Sequence, residues 1–187
     1  MTAGKLIAFE GLNGVGKTTL VRGVAEALAL PRVATPPAAA SAARAAFDEA
    51  PFSEAALLFY LSWVKHTSDR LAVGDPGPVV LCDRYVASTQ AYFTAAGLPL
   101  ARTLIAGLDI IPPALTVLVT ADEPVRVERL GARDRRRAID RATCDDDFRT
   151  VVLRVYRSHS PLCEVDSTRC SPRDLMDRTV EQIRGFL

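Results

Sequence analysis

Histidine and lysine are scarce in this chain of 187 residues: there are two histidines, His66 and His159, and among 23 basic residues only Lys5, Lys17 and Lys65 are lysines. Its four cysteines, Cys82, Cys144, Cys163 and Cys170, form no CxxC pair and no cysteine-plus-histidine spacing, which argues against a structural zinc site. At this length a core forms without disulfides, so reduced and mostly packed thiols are expected. A charge of one sign is lacking too. Twenty-three basic residues against 22 acidic ones leave a formal charge of +1, so no global field draws the chain to nucleic acid or to an anionic membrane. Long hydrophobic runs are absent as well. The first apolar stretch, Leu6 to Phe9, is broken by Glu10 and is far shorter than a spanning helix or a signal core, so the mature chain is expected to begin near Met1 and to be cytoplasmic. With 49% hydrophobic and 24% charged residues, the composition is that of one globular domain spanning residues 1–187.

Lys5 to Glu10 is a short apolar run, a glycine-rich turn follows, and from Lys17 the residues Leu20, Val21, Val24, Ala27 and Leu28 recur at helical spacing. The order is strand, loop, helix. Pro31 ends that helix, Arg32 to Thr35 fits a second short strand, and Pro36-Pro37 forces an extended turn before an alanine-rich helix. Ser53 is a candidate N-cap, with Glu54 behind it, for a longer helix carrying Ala56, Leu57, Phe59, Tyr60 and Trp63. Val79 to Cys82 reads as a parallel strand buried on both faces and ending at Asp83, and Leu115 to Val119 repeats the design after Pro112-Pro113. Short apolar strands alternating with helices predict an α/β fold with a doubly wound sheet, in which ligands sit at the carboxyl ends of the strands. No internal repeat and no linker divides the chain.

Gly11-Leu12-Asn13-Gly14-Val15-Gly16-Lys17-Thr18 is a full GxxxxGK[ST] between strand and helix. Its glycines let backbone N–H groups turn inward around phosphate oxygens, and the following helix offers its positive end. In such a loop Lys17, expected in an exposed position, bridges the outer phosphates, and the Thr18 hydroxyl is a candidate ligand for Mg²⁺. ATP or GTP with magnesium is the expected cofactor. Asp83, at the end of a neighbouring strand, suits the same metal through water, or else caps the following helix. Between Arg126 and Arg141 seven arginines stand among three acids. They suit either the solvated face of a helix or a lid that brings charge to a transferring phosphoryl group and excludes water.

The stretch Phe9-Glu10-Gly11-Leu12-Asn13-Gly14-Val15-Gly16-Lys17-Thr18-Thr19 is similar to FEGxDGxGKTT of the thymidylate kinase family of nucleoside monophosphate kinases. Asp83-Arg84-Tyr85-Val86-Ala87-Ser88-Thr89-Gln90-Ala91-Tyr92 resembles that family's DRYxxSxxAY, Pro113-Ala114-Leu115-Thr116 its PDLT, and Arg136-Arg137-Ala138-Ile139-Asp140-Arg141 its lid motif RxxxDR. The resemblance covers most of the chain. It implies a P-loop kinase fold with a central parallel sheet of about five strands, helices on both faces and an arginine-rich lid over about residues 131–145. Carried over by position, it implies that Gly11, Asn13, Gly14, Gly16, Lys17, Thr18 and Thr19 hold ATP, with Thr18 and Asp83 at the metal. Arg84 and Arg44 would grip the acceptor phosphate, Ser88, Thr89 and Gln90 would lie near a pyrimidine, Tyr92 would pack under its sugar, and Arg136 and Arg141 would be lid arginines. The family's usual homodimer is carried as an expectation.

Departures cluster in the acceptor half. Asn13 replaces the family's aspartate, Thr35-Pro36-Pro37-Ala38 replaces TREPG, and in Leu57-Leu58-Phe59-Tyr60-Leu61-Ser62-Trp63 the arginine of LLFxADR has become tryptophan. If Trp63 lines the pocket beside Phe59, a stacking surface replaces a charged donor; otherwise it is core. The implied reaction is ATP- and Mg²⁺-dependent phosphorylation of a pyrimidine nucleoside monophosphate, first of all dTMP. A kinase for a modified nucleotide or a specialised-metabolism phosphate is the alternative, and a P-loop regulatory protein without an acceptor is a third.

Overall fold

The computed structural model describes residues 4–47, 49–132 and 138–187. Its strands are β1 (Lys5–Glu10), β2 (Arg32–Ala34), β3 (Val79–Asp83), β4 (Leu115–Thr120) and β5 (Leu162–Asp166). The helices are α1 (Lys17–Leu28), α2 (Ser41–Ala45), α3 (Glu54–Ala72), α4 (Val86–Ala95), α5 (Leu100–Gly107), α6 (Glu123–Gly131), α7 (Ala138–Ala142), α8 (Asp146–Arg157) and α9 (Pro172–Arg184). The strands form one sheet in the order β2-β3-β1-β4-β5, and every pairing is parallel.

Parallel strands need covered faces, and the alternation of side chains along β1 and β3 supplies both. Ile7, Phe9 and Leu81 face a core built with α1, α4, α8 and α9, while Leu6, Ala8, Val80 and Cys82 face the opposite side with Val64 and Leu71 of α3. Burying each of the leucine, isoleucine, valine and phenylalanine side chains among them contributes about 1.5–3 kcal/mol, which anchors β1 and β3 from both faces. The helix starts follow the sequence. Ser53 caps α3, its Oγ accepting from Ala56 N at 3.2 Å. The alanine-rich stretch after Pro37 differs from the single helix expected: it is a 3₁₀ turn over Ala38–Ala40 followed by the five-residue α2.

The register sets up the site. Phe9 pairs with Asp83 on β3, so the loop after β1 and the residues after β3 leave the sheet side by side at its carboxyl edge. Gly11 turns the chain there with φ +142°, and a Cβ on it would stand 2.3 Å from the Val119 carbonyl oxygen, so only glycine fits.

Candidate functional site

A cleft of about 530 Å³ opens at this edge, lined among others by Asn13, Gly14, Gly16, Lys17, Thr18 and Thr19 of the P-loop. Helix α1 starts behind Gly16 with no side-chain cap and no acid in its first turn, so its free N–H groups present unneutralised positive charge. An anion is the group that satisfies them. Lys17 lies in this turn at 5% exposure rather than on the exposed loop expected, with Nζ 3.4 Å from the Leu12 carbonyl oxygen.

Thr18 Oγ1 donates to Asp83 Oδ2 at 2.7 Å, bringing the two expected metal residues together at the ends of neighbouring elements. Asp83 therefore does not cap α4. Both groups are hard oxygen donors of the kind Mg²⁺ takes. Among the described residues no three His, Cys, Asp or Glu side chains gather as a metal cage.

Arg84 occupies the centre of the cleft with a left-handed backbone, φ +70°. That conformation is disfavoured for a side-chain-bearing residue by about 1–2 kcal/mol and persists where neighbours over-determine it. Here Arg84 N donates to the Phe9 carbonyl at 3.0 Å, and the Arg84 carbonyl accepts from Thr35 Oγ1 at 2.5 Å and from Cys82 Sγ at 2.9 Å. Its guanidinium is aimed in turn: Nη1 donates to Ser88 Oγ at 2.8 Å and to the Tyr156 hydroxyl at 3.3 Å, Nη2 donates to Asn13 Oδ1 at 2.5 Å, and Cζ stands 5.7 Å from the centroid of the Tyr92 ring. Arg32 of β2 and Arg44 of α2 line the same cleft, so three arginines face one space. Tyr60, Val64, Tyr92 and Phe93 give that space apolar sides. The buried Tyr92 hydroxyl has no hydrogen-bond partner among the described residues.

Glu10, which sequence reasoning passed over, is fully buried beneath Arg84 and caps α4 from another strand. Its Oε1 accepts from Tyr85 N at 2.9 Å and Ser88 N at 3.2 Å, and its Oε2 accepts from Ser88 Oγ. Burial pushes its carboxyl from 4.5 up to about 7, against the opposing pull of the Ser88 hydroxyl, Arg84 and the backbone donors. A raised carboxyl pKa means that between pH 4.5 and 7 the native state holds more protons than the unfolded chain, so stability falls as pH rises through that window. Glu10→Gln is expected to flatten this dependence, gaining up to about 3 kcal/mol on wild type between pH 5 and pH 8. Urea midpoints for both proteins across that range check it, and parallel curves would show that Glu10 titrates normally.

Ser88 and Thr89 line the cleft from α4, whereas Gln90, Phe59, Trp63 and Arg141 are not among its lining residues, and Gly11 forms the turn behind it. Phe59 packs against Phe47 and Tyr60, with ring centroids 5.1 Å and 5.4 Å away. Trp63 is neither core nor a wall of this cleft: it lines a second cavity of about 340 Å³ with Arg32, His66 and Arg70, because its place on α3 turns it toward the edge strand β2. On α3 it is Tyr60 and Val64 that reach the cleft. Arg141 is exposed on α7, and Arg136 lies outside the described residues. Arg126, which the sequence groups with the arginine-rich segment, is instead fully buried on α6 and bonds Glu123, Asn13 and Thr143. Tyr156 of α8 is buried with its hydroxyl 3.0 Å from Ser88 Oγ. An acid at the end of an otherwise apolar strand, directly before a phosphate loop, was the available signal for Glu10.

The thymidylate kinase family model matches residues 9–177. A probable thymidylate kinase of Pyrobaculum calidifontis is 31% identical over 161 residues, covering 80% of this chain and 79% of that protein. The thymidylate kinase of Caulobacter vibrioides is 34% identical over 71% of this chain and 72% of its own length. That of Xanthomonas campestris is 35% identical over 70% of this chain, and the match spans 62% of the Xanthomonas protein. The solved thymidylate kinase of Candida albicans superposes with a TM-score of 0.75 at 19% identity, covering 99% of this chain and 93% of that one, which establishes the fold. The phosphate loop, the Asp83-Arg84 pair at the adjacent strand end and these matches along nearly the whole chain agree: the chain belongs to the thymidylate kinase family and is a nucleoside monophosphate kinase.

Proposed function

We propose that the protein transfers the γ-phosphoryl group of ATP to the phosphate of dTMP, with Mg²⁺ as cofactor. The single observation that carries this reading is the shared cleft. It is lined both by the α1 N-terminus, Lys17 and the Thr18–Asp83 pair, one end in this reading, and by Arg44 and Arg84 with the apolar side chains of Tyr60, Tyr92 and Phe93, the other. The first end suits polyphosphate and metal, and the second suits a monophosphate carrying a flat base. Thr18 and Asp83 would hold Mg²⁺, whose chemistry is to neutralise charge on the phosphate oxygens. Lys17 and the loop N–H groups hold the donor phosphates, while Arg84 and Arg44 hold the acceptor phosphate. Ser88 and Thr89 face the acceptor, and Tyr92 packs beneath its sugar. Arg141 and Arg136 are proposed to act from the lid, and the working protein is proposed to be a homodimer. No described helix is long and apolar enough to cross a membrane.

Transfer itself needs no covalent intermediate. Two phosphates held in line, with fixed positive groups around the equatorial oxygens, supply the positioning and charge stabilisation that the reaction requires.

The placement of Trp63 removes the main reason to favour a non-standard acceptor, and the family matches favour dTMP. Steady-state kinetics with dTMP, dUMP, dCMP, CMP and UMP test the reading. The expected result is dTMP-dependent ADP release with kcat/KM highest for dTMP, and Trp63→Arg is expected to leave that value near wild type because the side chain lines another cavity. ATP consumption without any acceptor would point instead to a nucleotide switch, and turnover of none of these monophosphates would overturn the assignment.

A further inference from the structure

Asn13 stands between two groups of opposite charge. Its Oδ1 accepts from Arg84 Nη2 at 2.5 Å, and its Nδ2 donates to Asp140 Oδ1 at 2.6 Å. A guanidinium only donates and a carboxylate only accepts, so one amide orientation alone satisfies both. The backbone of the same residue is held as well. Arg126 Nη1 donates to the Asn13 carbonyl at 3.1 Å and to Thr143 Oγ1 at 3.1 Å, Nη2 donates to the Thr143 carbonyl at 2.7 Å and to Glu123 Oε1 at 2.6 Å, and Nε donates to Glu123 Oε2 at 2.7 Å. All five of its N–H donors are engaged. Asp140 lies on α7 and Thr143 follows it, so two links join the phosphate loop to the foot of the arginine-rich segment while a third joins it to Arg84.

We propose that Asn13 is a positioning residue for the kinase reaction, coupling α7 to the Arg84 guanidinium through an amide that aspartate cannot replace. The proposal rests on the dTMP kinase reading, in which Arg84 grips the acceptor phosphate. The motif that this loop resembles carries aspartate here. In this chain an aspartate would set a second carboxylate at hydrogen-bond distance from Asp140, with no donor between them, and the two would repel. Rotation of the new side chain away from Asp140 would then withdraw the support now given to Arg84, whereas a proton shared by the pair would restore the donor that the amide supplies.

The test compares wild type, Asn13→Asp, Asp140→Asn and the double variant Asn13→Asp/Asp140→Asn, which exchanges amide and carboxylate. Asn13→Asp is expected to lower kcat/KM for dTMP by about 10- to 100-fold, the range for one lost charge-assisted hydrogen bond, with KM for ATP little changed. The deficit should shrink as pH is lowered toward the carboxylate range, where the facing pair takes up a proton. The exchange should recover most of the loss, since the carboxylate at position 13 then accepts from both Arg84 and the amide at position 140. Wild-type kinetics with an unchanged pH profile in Asn13→Asp would overturn the proposal, as would an exchange variant no better than Asn13→Asp while Asp140→Asn alone is active. If wild type does not phosphorylate dTMP, the acceptor assignment falls and thermal unfolding still decides the coupling. A Tm lowered by Asn13→Asp and restored by the exchange supports it, and additive losses overturn it.

Discussion

Lys17→Met is expected to lower kcat by about 100- to 1,000-fold, the range for removing one preorganised charge from a developing oxyanion. Lys17 opens α1 at 5% exposure, on a helix end whose N-cap residue gives no side-chain hydrogen bond and whose first turn carries no acid. Methionine keeps the buried stem and removes only the ammonium, so the variant should still unfold cooperatively in urea while turnover falls. That pairing separates a catalytic loss from an unfolded protein. Wild-type turnover in the variant would remove Lys17 from the phosphate site.

Arg84→Met is expected to reduce kcat/KM for dTMP by about 100- to 1,000-fold, with much less effect on the affinity for a non-hydrolysable ATP analogue. The guanidinium is pre-aimed by Asn13, Ser88 and Tyr156, and its backbone is held left-handed by Phe9, Thr35 and Cys82. Arg84→Lys should recover little, because an ammonium cannot span those separated partners as a planar fork does. Titration of the analogue and of dTMP into each variant measures the split. Equal losses at both ligands would make Arg84 a donor-nucleotide ligand instead.

The sheet was readable from the chain because its strands are short, apolar and bounded by proline, glycine or acid. The segments expected as strands, Val79 to Cys82 and Leu115 to Val119, lie within β3 and β4, each of which runs one residue further, and Ser53 caps α3. The phosphate loop was readable because its chemistry is local: eight consecutive residues carry it. What escaped depends on distance in sequence. Nothing near Glu10 tells that it caps a helix starting at Val86, and nothing near Arg126 tells that its guanidinium reaches a carbonyl 113 positions earlier. Periodicity could place Trp63 on a half-buried face, but it could not choose between two cavities flanking the same helix. Tyr60, three residues earlier on α3, reaches the cleft in its stead.

The strand order carries a consequence for how the protein is made. Among the described residues β1 pairs only with β3 and β4, and β2 pairs only with β3. While the chain emerges from a ribosome, no two strands of the sheet can therefore join until Asp83 is clear of the exit tunnel. Until then Glu10 and the phosphate loop stay in water, held by nothing beyond the local turns of α1 and α3. Once β3 arrives, a single pairing event aligns Phe9 with Asp83, delivers Glu10 to the start of α4 and brings Thr18 to its carboxylate. Nascent chains cut short before Val79 should accordingly be protease-sensitive along their whole length, whereas chains extended past the β4 segment should begin to protect the first twenty residues.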